Sequence, residues 1–121
     1  MGFMEAVQTV ISKRFADFQG RSQRAEYWWF FLFNILLQFV LMAIVAIMPT
    51  IGGILALVVF VALIIPGIAV TIRRFHDLDK SGWWILIGLV PFLGVILLIY
   101  WFTQKGTSGE NRFGADPLAG A

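Results

Sequence analysis

The sequence predicts an all-α, polytopic membrane protein, and three observations support this fold class. The 121 residues are 60% hydrophobic and only 13% charged, which lies outside the range of soluble globular domains. Three runs without a formal charge cover residues 27–48, 51–72 and 83–102. Each is close to the ~20 residues that an α-helix needs to cross ~30 Å of hydrocarbon. Because the runs are continuous and lack the alternation of barrel strands, helices are the predicted spanning structure.

The segment before the first run, residues 2–19, is predicted to be an amphipathic helix. Its large apolar residues recur at steps of three and four, and Gly20 is a suitable residue to end the helix. Two placements fit this pattern, namely a helix lying in the membrane interface and a helix packed against the bundle. The apolar positions are Phe3, Met4, Val7, Val10, Ile11, Phe15 and Phe18.

The first span, residues 27–48, follows a short polar entry segment. Arg21, Arg24 and Glu26 are expected at the headgroups, followed by a belt of aromatic residues at 27–29. Within the span, Asn34 and Gln38 are an i,i+4 pair that should face another helix and not lipid. Such interhelical polar contacts contribute about 0.6 to 2 kcal/mol, so we interpret the pair as packing contacts, with a transport site as the alternative.

The second span, residues 51–72, is predicted to form an antiparallel hairpin with the first. The uncharged turn between them contains Pro49 and the pair Gly52–Gly53, and it is too short to hold a domain. Pro66 and Gly67 are expected to kink the second helix near its end, because proline cannot donate to the helical ladder.

A charged loop, residues 73–82, is predicted between the second and third runs. It carries Arg73, Arg74, His76, Asp77 and Lys80. Cationic residues also precede the first span, whereas none lies between the first and second spans. The positive-inside rule therefore places both the amino terminus and this loop on the cytoplasmic side. There the two arginines could bind lipid phosphate or pair with Glu26, Asp77 or Asp79.

The third run, residues 83–102, contains Pro91 and Gly94 near its middle. We predict a third span that sends the tail, residues 103–121, to the opposite side. The alternative is a re-entrant hairpin broken at Pro91, which would return the tail to the cytoplasmic side. The tail is rich in turn-forming residues and carries the polar candidates Lys105, Asn111 and Asp116.

The residues offer little support for catalysis, a metal or a cofactor. The chain has one histidine and no cysteine, so a tight transition-metal site is not expected, and we predict neither a metal nor a cofactor. His76 and Asp77 are the only candidate acid–base pair, although adjacent residues on a helix point about 100° apart. A net charge of +2 with cations flanking the spans also argues against a nucleic-acid partner.

Three blocks resemble a family of small bacterial inner-membrane proteins known as domain-of-unknown-function family 805, the YhaH-like proteins. The blocks are "FQGRSQRAEYWWFFLFN", "IRRFHDLDKSGWWILIGLVPFLG" and "KGTSGENRFGADP", and they occur in order between residues 18 and 117. The resemblance implies an inner-membrane location and a helical fold but no activity. It points to the following positions: Arg21, Arg24, Glu26, Tyr27, Trp28, Arg73, Arg74, His76, Asp77, Ser81, Gly82, Trp83, Lys105, Gly106, Asn111, Gly114, Asp116 and Pro117.

The resulting functional hypothesis is a non-enzymatic membrane protein that binds anionic lipid or a protein partner at the cytoplasmic interface. It would work as a homo-oligomer or as an accessory subunit of a membrane complex. One alternative is a small oligomeric transporter or channel, in which Asn34 and Gln38 line the pathway. Another is an interfacial enzyme acting on lipid head groups, with His76 as general base and Asp77 orienting it.

Overall fold

The computed structural model describes residues 1–119, and its regular elements are helices. A short helix α1 (Phe3–Gln8) continues as a π-helical turn (Thr9–Lys13), and two long helices follow, α2 (Arg24–Ile47) and α3 (Pro49–Asp77). A 3₁₀ segment (Gly82–Leu89) and helix α4 (Leu93–Thr103) complete the elements. The described residues contain no strand beyond a single bridge between Asn111 and Gly114. The predicted all-α fold is confirmed.

Helices α2 and α3 are the two membrane-spanning helices. They contain 24 and 29 residues, with mean hydropathies of 2.6 and 2.9 over their most apolar windows. At about 1.5 Å per residue both exceed the ~30 Å of a hydrocarbon core. Only Met48 separates them, so they form the predicted antiparallel hairpin. Large apolar side chains on their surfaces, such as Ile47 (79% exposed), suit lipid and not water.

The third apolar run is broken, which corrects the expectation of a third continuous span. The 3₁₀ segment ends at Leu89 and α4 begins at Leu93, with Phe92 at a φ of +63° between them. Eight 3₁₀ residues and eleven α-helical residues each extend about 16 Å, roughly half of a ~30 Å crossing. The two pieces fold back on each other, as the Pro91 alternative predicts.

Gly94 shows why the turn can be so tight. A Cβ atom built on Gly94 would lie 2.0 Å from the carbonyl oxygen of Ile87, so no other residue fits without moving the backbone. The start of α4 thus contacts the preceding 3₁₀ segment directly. This contact holds the two short pieces side by side.

The amino-terminal helix packs against the bundle, which is one of the two placements predicted for it. Ala6 and Val10 are fully buried, and Val10 shares a small core with Phe30 of α2 and Val70 of α3. The ring of Phe3 also meets Trp29 edge-on, with centroids 5.9 Å apart. Regular helix ends at Lys13 and does not continue to residue 19, because the following segment turns to accept hydrogen bonds from α3.

Helix α3 continues further than the sequence predicts. Residues 73–77 form its last turns, so the predicted charged loop begins only at residue 78. The helix also runs through Pro66 without interruption. The charged side chains at its end are therefore held on a rigid element. We call this end of the bundle, where α3 ends and α2 begins, the polar end.

Candidate functional site

The polar end contains a buried ionic cluster, which we call the arginine cluster. It consists of Arg21, Arg73, Arg74, Glu26 and Asp77, and each of these residues is at most 4% exposed. The sequence placed Arg21 at the lipid headgroups, and the structure corrects that expectation by burying its side chain. For Arg73 and Arg74 the sequence allowed lipid phosphate or a nearby carboxylate, and the structure pairs Arg73 with Glu26 and Arg74 with Asp77. Burying charges this completely is tolerated only where they are paired and hydrogen-bonded.

Arg73 connects α3 to the segment before α2. Its Nε donates to Ser22 Oγ at 2.8 Å, and one Nη donates to Glu26 Oε2 at 3.1 Å. The other Nη donates to the carbonyl oxygens of Arg14 and Asp17, at 3.1 and 2.6 Å. Gln23 occupies the N-cap position of α2, where its side chain makes no capping hydrogen bond. The hydroxyl of Ser22 instead accepts the hydrogen bond from Arg73.

Asp77 is shared by two arginines. Its carboxylate accepts from Arg21 Nε at 2.9 Å and from Arg74 Nη1 at 2.7 Å. Arg74 Nη2 also donates to the carbonyl oxygens of Phe102 and Gln104, at 2.9 and 2.5 Å. Arg74 thus joins the end of α3 to the end of α4.

The tail docks on the arginine cluster through its backbone. Arg21 donates to the carbonyl oxygens of Thr107, Gly109 (2.6 Å) and Gly114 (3.4 Å). In return, the Thr107 N–H donates to the backbone oxygen of Asp77 at 2.7 Å. A Cβ atom on Gly106 would lie 2.0 Å from Asp77 Oδ2, so only glycine allows the tail to approach this closely. Residues 103–119 therefore lie at the same end of the bundle as Arg21.

The charges of the arginine cluster do not balance. Three guanidinium groups face two carboxylates, which leaves a net charge of +1. Backbone carbonyl oxygens from residues 14–17, 102–104, 107–109 and 114 accept hydrogen bonds from the guanidinium N–H groups that the carboxylates do not bind. Only Arg74 Nε lacks a hydrogen-bond partner among the buried side-chain atoms of the described residues. The cluster is a nearly saturated structural junction, and its arginines have little free surface for a ligand.

His76 lies beside the cluster, but the predicted acid–base pair does not form. Its Nδ1 lies 2.9 Å from the carbonyl oxygen of Gly20, and because a carbonyl only accepts, Nδ1 is the donor. Its ring stacks on Phe113 with centroids 4.0 Å apart, and its backbone oxygen accepts from Asn111 Nδ2 at 2.9 Å. The carboxylate of Asp77 is bound to two arginines instead, so it does not orient the imidazole.

The remaining polar candidates lie around the cluster. Lys80 places its ammonium over the ring of Trp101 at 4.7 Å, a cation–π contact. Asp116 lies in the tail and accepts from the backbone N–H groups of Leu118 and Gly109, which lowers its carboxyl pKa. These two residues therefore stabilise local structure, Lys80 at α4 and Asp116 within the tail.

Arg24 and Lys105 are exposed cations near the arginine cluster. Arg24 is the first residue of α2 and donates to the carbonyl oxygen of Thr103 at 3.0 Å. Lys105 follows Thr103 by two residues, so both cations lie near the junction of α4 with the tail. No carboxylate of residues 1–119 lies within ion-pair distance of either one.

Asn34 and Gln38 do not form the interhelical hydrogen bonds that the sequence predicted. Asn34 Nδ2 donates to the carbonyl oxygen of Phe30 in its own helix at 2.9 Å. Gln38 is exposed, and none of the residues 1–119 bonds to its amide. Both side chains line a groove of about 230 Å³ between α2 and α3, together with Phe60 and Leu63. Within one chain, the pair faces a groove and not a bonding partner.

Among the described residues, no three histidine, cysteine, aspartate or glutamate side chains come together in a way that could hold a metal ion. The two carboxylates of the arginine cluster are bound to guanidinium groups, and the single imidazole points its Nδ1 at a carbonyl oxygen.

The three sequence blocks meet at the polar end. The first block supplies Arg21 and Glu26, the second supplies residues 73–77, and the third supplies the tail backbone that covers them. Reasoning from charge alone did not predict that Gly106 and Thr107 contact Asp77. Gly106 belongs to the family pattern, but nothing in the sequence indicated that it packs against Asp77.

Comparison with known proteins agrees with this arrangement of blocks. Residues 15–115 match the family model described as "Protein of unknown function (DUF805)". The chain is 42% identical over 111 residues to "Inner membrane protein YhaH" of Escherichia coli strain K12, covering 88% of the chain and 92% of the relative. It is 39% identical over 111 residues to "Inner membrane protein YhaI" of the same strain, covering 92% and 94%. No solved structure matches the chain. These matches support an inner-membrane location, and the chain belongs to the DUF805 family.

Proposed function

We propose that this chain is an accessory membrane protein whose polar end binds anionic phospholipid headgroups through Arg24 and Lys105. In this proposal the arginine cluster has a structural role, because it holds α2, α3 and the tail in the arrangement that presents the two exposed cations. The polar end faces the cytoplasm. This orientation rests on the cations that precede α2 and follow α3, and on the absence of charge between the two helices.

The observation that carries the proposal is the position of Arg24. A cation at the first residue of a helix is opposed by the positive end of the helix dipole. The carboxylate in the same turn, Glu26, is bound to Arg73 and does not offset it. Arg24 therefore gains nothing from the dipole of α2. The one hydrogen bond of the Arg24 side chain among residues 1–119 goes to the carbonyl oxygen of Thr103, so its charge is available to an anion outside the chain.

The local charge supports the same conclusion. Residues 21–26, 73–80 and 103–119 together hold seven cations and five carboxylates, so the region carries a net charge of +2. An exposed cation near an anionic membrane surface contributes about 1 kcal/mol to membrane attraction. Two such cations contribute about 2 kcal/mol, which corresponds to a roughly 30-fold preference for anionic lipid over zwitterionic lipid.

The test measures which lipids stay bound to the purified protein. Native mass spectrometry of the chain, equilibrated with equal amounts of phosphatidylglycerol and phosphatidylethanolamine, should show retained phosphatidylglycerol. The double variant Arg24→Gln, Lys105→Gln should lose most of that preference. The charge-retaining variant Arg24→Lys, Lys105→Arg should keep it.

A matched control is available in the tail. Arg112 is an exposed cation paired with Asp79 at 3.2 Å, so Arg112→Gln should leave lipid retention nearly unchanged. If the double variant retains phosphatidylglycerol as strongly as the parent chain, the proposal is wrong. Equal losses in the double variant and in Arg112→Gln would also contradict it, because they would indicate a response to net charge alone.

A second candidate is a small oligomeric transporter, favoured by the groove that Asn34 and Gln38 line between the spanning helices. Reconstituted vesicles would show ion or proton flux that Asn34→Leu reduces. Vesicles without flux under every imposed gradient would contradict this candidate.

A further inference from the structure

Gln38 is a polar side chain at membrane depth that has no hydrogen-bond partner among residues 1–119. It lies 14 residues after Arg24 and nine residues before Ile47, or about 21 and 14 Å from the two ends of α2. Its amide carries two N–H donors and one acceptor oxygen, and none of the residues 1–119 bonds to it. Lipid tails offer neither donors nor acceptors, so an amide left alone at this depth is unfavourable.

Its neighbour on the same helix shows the contrast. Asn34 lies one turn earlier and satisfies its amide on the carbonyl oxygen of Phe30. Around Gln38 the exposed side chains are apolar, including Phe39 (66%), Met42 (64%) and Phe60 of α3 (63%). Gln38 is thus an isolated polar group on an apolar face, beside the groove between α2 and α3.

We propose that this face binds the same face of a second copy of the chain, and that the two Gln38 amides hydrogen-bond to each other across a two-fold axis. A carboxamide is both donor and acceptor, so it complements itself, as an isologous two-fold contact requires. The axis runs along the membrane normal, since copies inserted in one orientation hold Gln38 at the same depth. The groove of about 230 Å³ gives the partner's side chain room to enter.

A second copy explains the observations better than lipid does. Acyl chains can fill the groove but cannot bond to the amide, whereas the partner chain always brings a matching amide. The inference does not rest on the lipid-headgroup proposal, because Gln38 lies far from the polar end. Its test can therefore be run in vesicles of zwitterionic lipid alone.

The first experiment measures association in phosphatidylcholine vesicles by energy transfer between donor- and acceptor-labelled copies, as the protein-to-lipid ratio is varied. The parent chain should dimerise. Gln38→Leu should weaken dimerisation by about 3- to 30-fold, the range expected when an interhelical polar contact is lost. Since Gln38 is exposed within one chain, the variant should fold normally, which unchanged protection of the tail against trypsin would verify.

The second experiment locates the interface. The chain contains no cysteine, so single cysteines can be introduced without background. Met42→Cys, one turn from Gln38 on the same face, should form an intermolecular disulfide in the vesicles. Leu36→Cys lies about 160° around α2, is 50% exposed, and should form none. Adding Gln38→Leu to Met42→Cys should reduce the cross-link.

Three results would overturn the proposal. A chain that stays monomeric at every protein-to-lipid ratio would show that lipid or a different protein covers this face. Dimerisation that Gln38→Leu leaves unchanged would show that the amide has no part in it. Equal cross-linking at positions 36 and 42 would show contact without a defined interface.

Discussion

Replacing Asp77 with asparagine should be among the most damaging conservative changes in this chain. The side chain keeps its shape but loses its charge, and Arg21 and Arg74 then share a neutral amide in place of a carboxylate. The side chains of these arginines are 1% and 0% exposed, so neither can turn to water for compensation. Removing one member of a buried ion pair typically costs about 3 to 5 kcal/mol. We expect a loss of that size for Asp77→Asn.

The matched control is Asp79→Asn, two residues along the chain. Asp79 pairs with Arg112 at 3.2 Å, but the two side chains are 47% and 61% exposed. Exposed pairs contribute about 0 to 1 kcal/mol, so this variant should be almost neutral. The same chemical change is thus compared in two environments, one buried and one in solvent.

The measurement is the free energy of unfolding of the purified protein in detergent micelles, followed by the fluorescence of the tryptophans near the polar end. Tryptic cleavage after Lys105 reports in parallel on whether the tail stays docked. Asp77→Asn should lower the free energy of unfolding by several kcal/mol and expose the tail, whereas Asp79→Asn should do neither. If the two variants differ by less than about 1 kcal/mol, the buried pairing is not what stabilises this end of the protein.

Three further predictions follow from the same contacts. Gly106→Ala should make the tail susceptible to trypsin, because the new Cβ would collide with Asp77 Oδ2. The control is Gly53→Ala, which has no atom within 4 Å of its Cβ and should leave stability unchanged or slightly increased. Gly94→Ala should open the turn between the 3₁₀ segment and α4, seen as increased amide hydrogen exchange there; unchanged exchange would contradict the close contact. Because two backbone N–H groups lower the pKa of Asp116, its contribution to the local structure of the tail is complete above the ordinary value of 3.8 and is lost as pH falls through the lowered value. The Gly109 and Leu118 amides that bond to Asp116 should therefore keep their protection against hydrogen exchange from pH 7 to 5 and lose it only below that range, and Asp116→Asn should remove that protection at every pH.

The hairpin of spanning helices and the approximate start of each helix could be predicted from the sequence. The predicted starts at residues 27 and 51 compare with helices that begin at Arg24 and Pro49. Long apolar runs have only one stable conformation in lipid, since each backbone group must be bonded within its own helix. Pro91 and Gly94 also limited the predicted structure of the third run to a third span or a re-entrant hairpin, because both residues disfavour a continuous helix.

The sequence identified the charged residues of the candidate site but not the groups that surround them. Arg73 and Arg74 were recognised, with lipid phosphate and nearby carboxylates as their alternative partners, and the structure buries both side chains against carboxylates and carbonyl oxygens. A guanidinium group at the end of a spanning helix can be satisfied equally by lipid phosphate or by protein carbonyls and carboxylates. Which of these it meets depends on where residues 14–22 and 103–109 lie, and neither segment has a strong periodic pattern.

The amino-acid sequence alone indicates that this chain lies in a membrane and where its charged residues leave the hydrocarbon, because the cost of burying charge in lipid acts on each residue locally. The turn of the third run at Pro91 and the closure of the tail over Arg21, Arg74 and Asp77 follow only from the folded structure. That outcome depends on contacts such as the one between Gly106 and Asp77, 29 positions apart, which form only when the whole chain has folded.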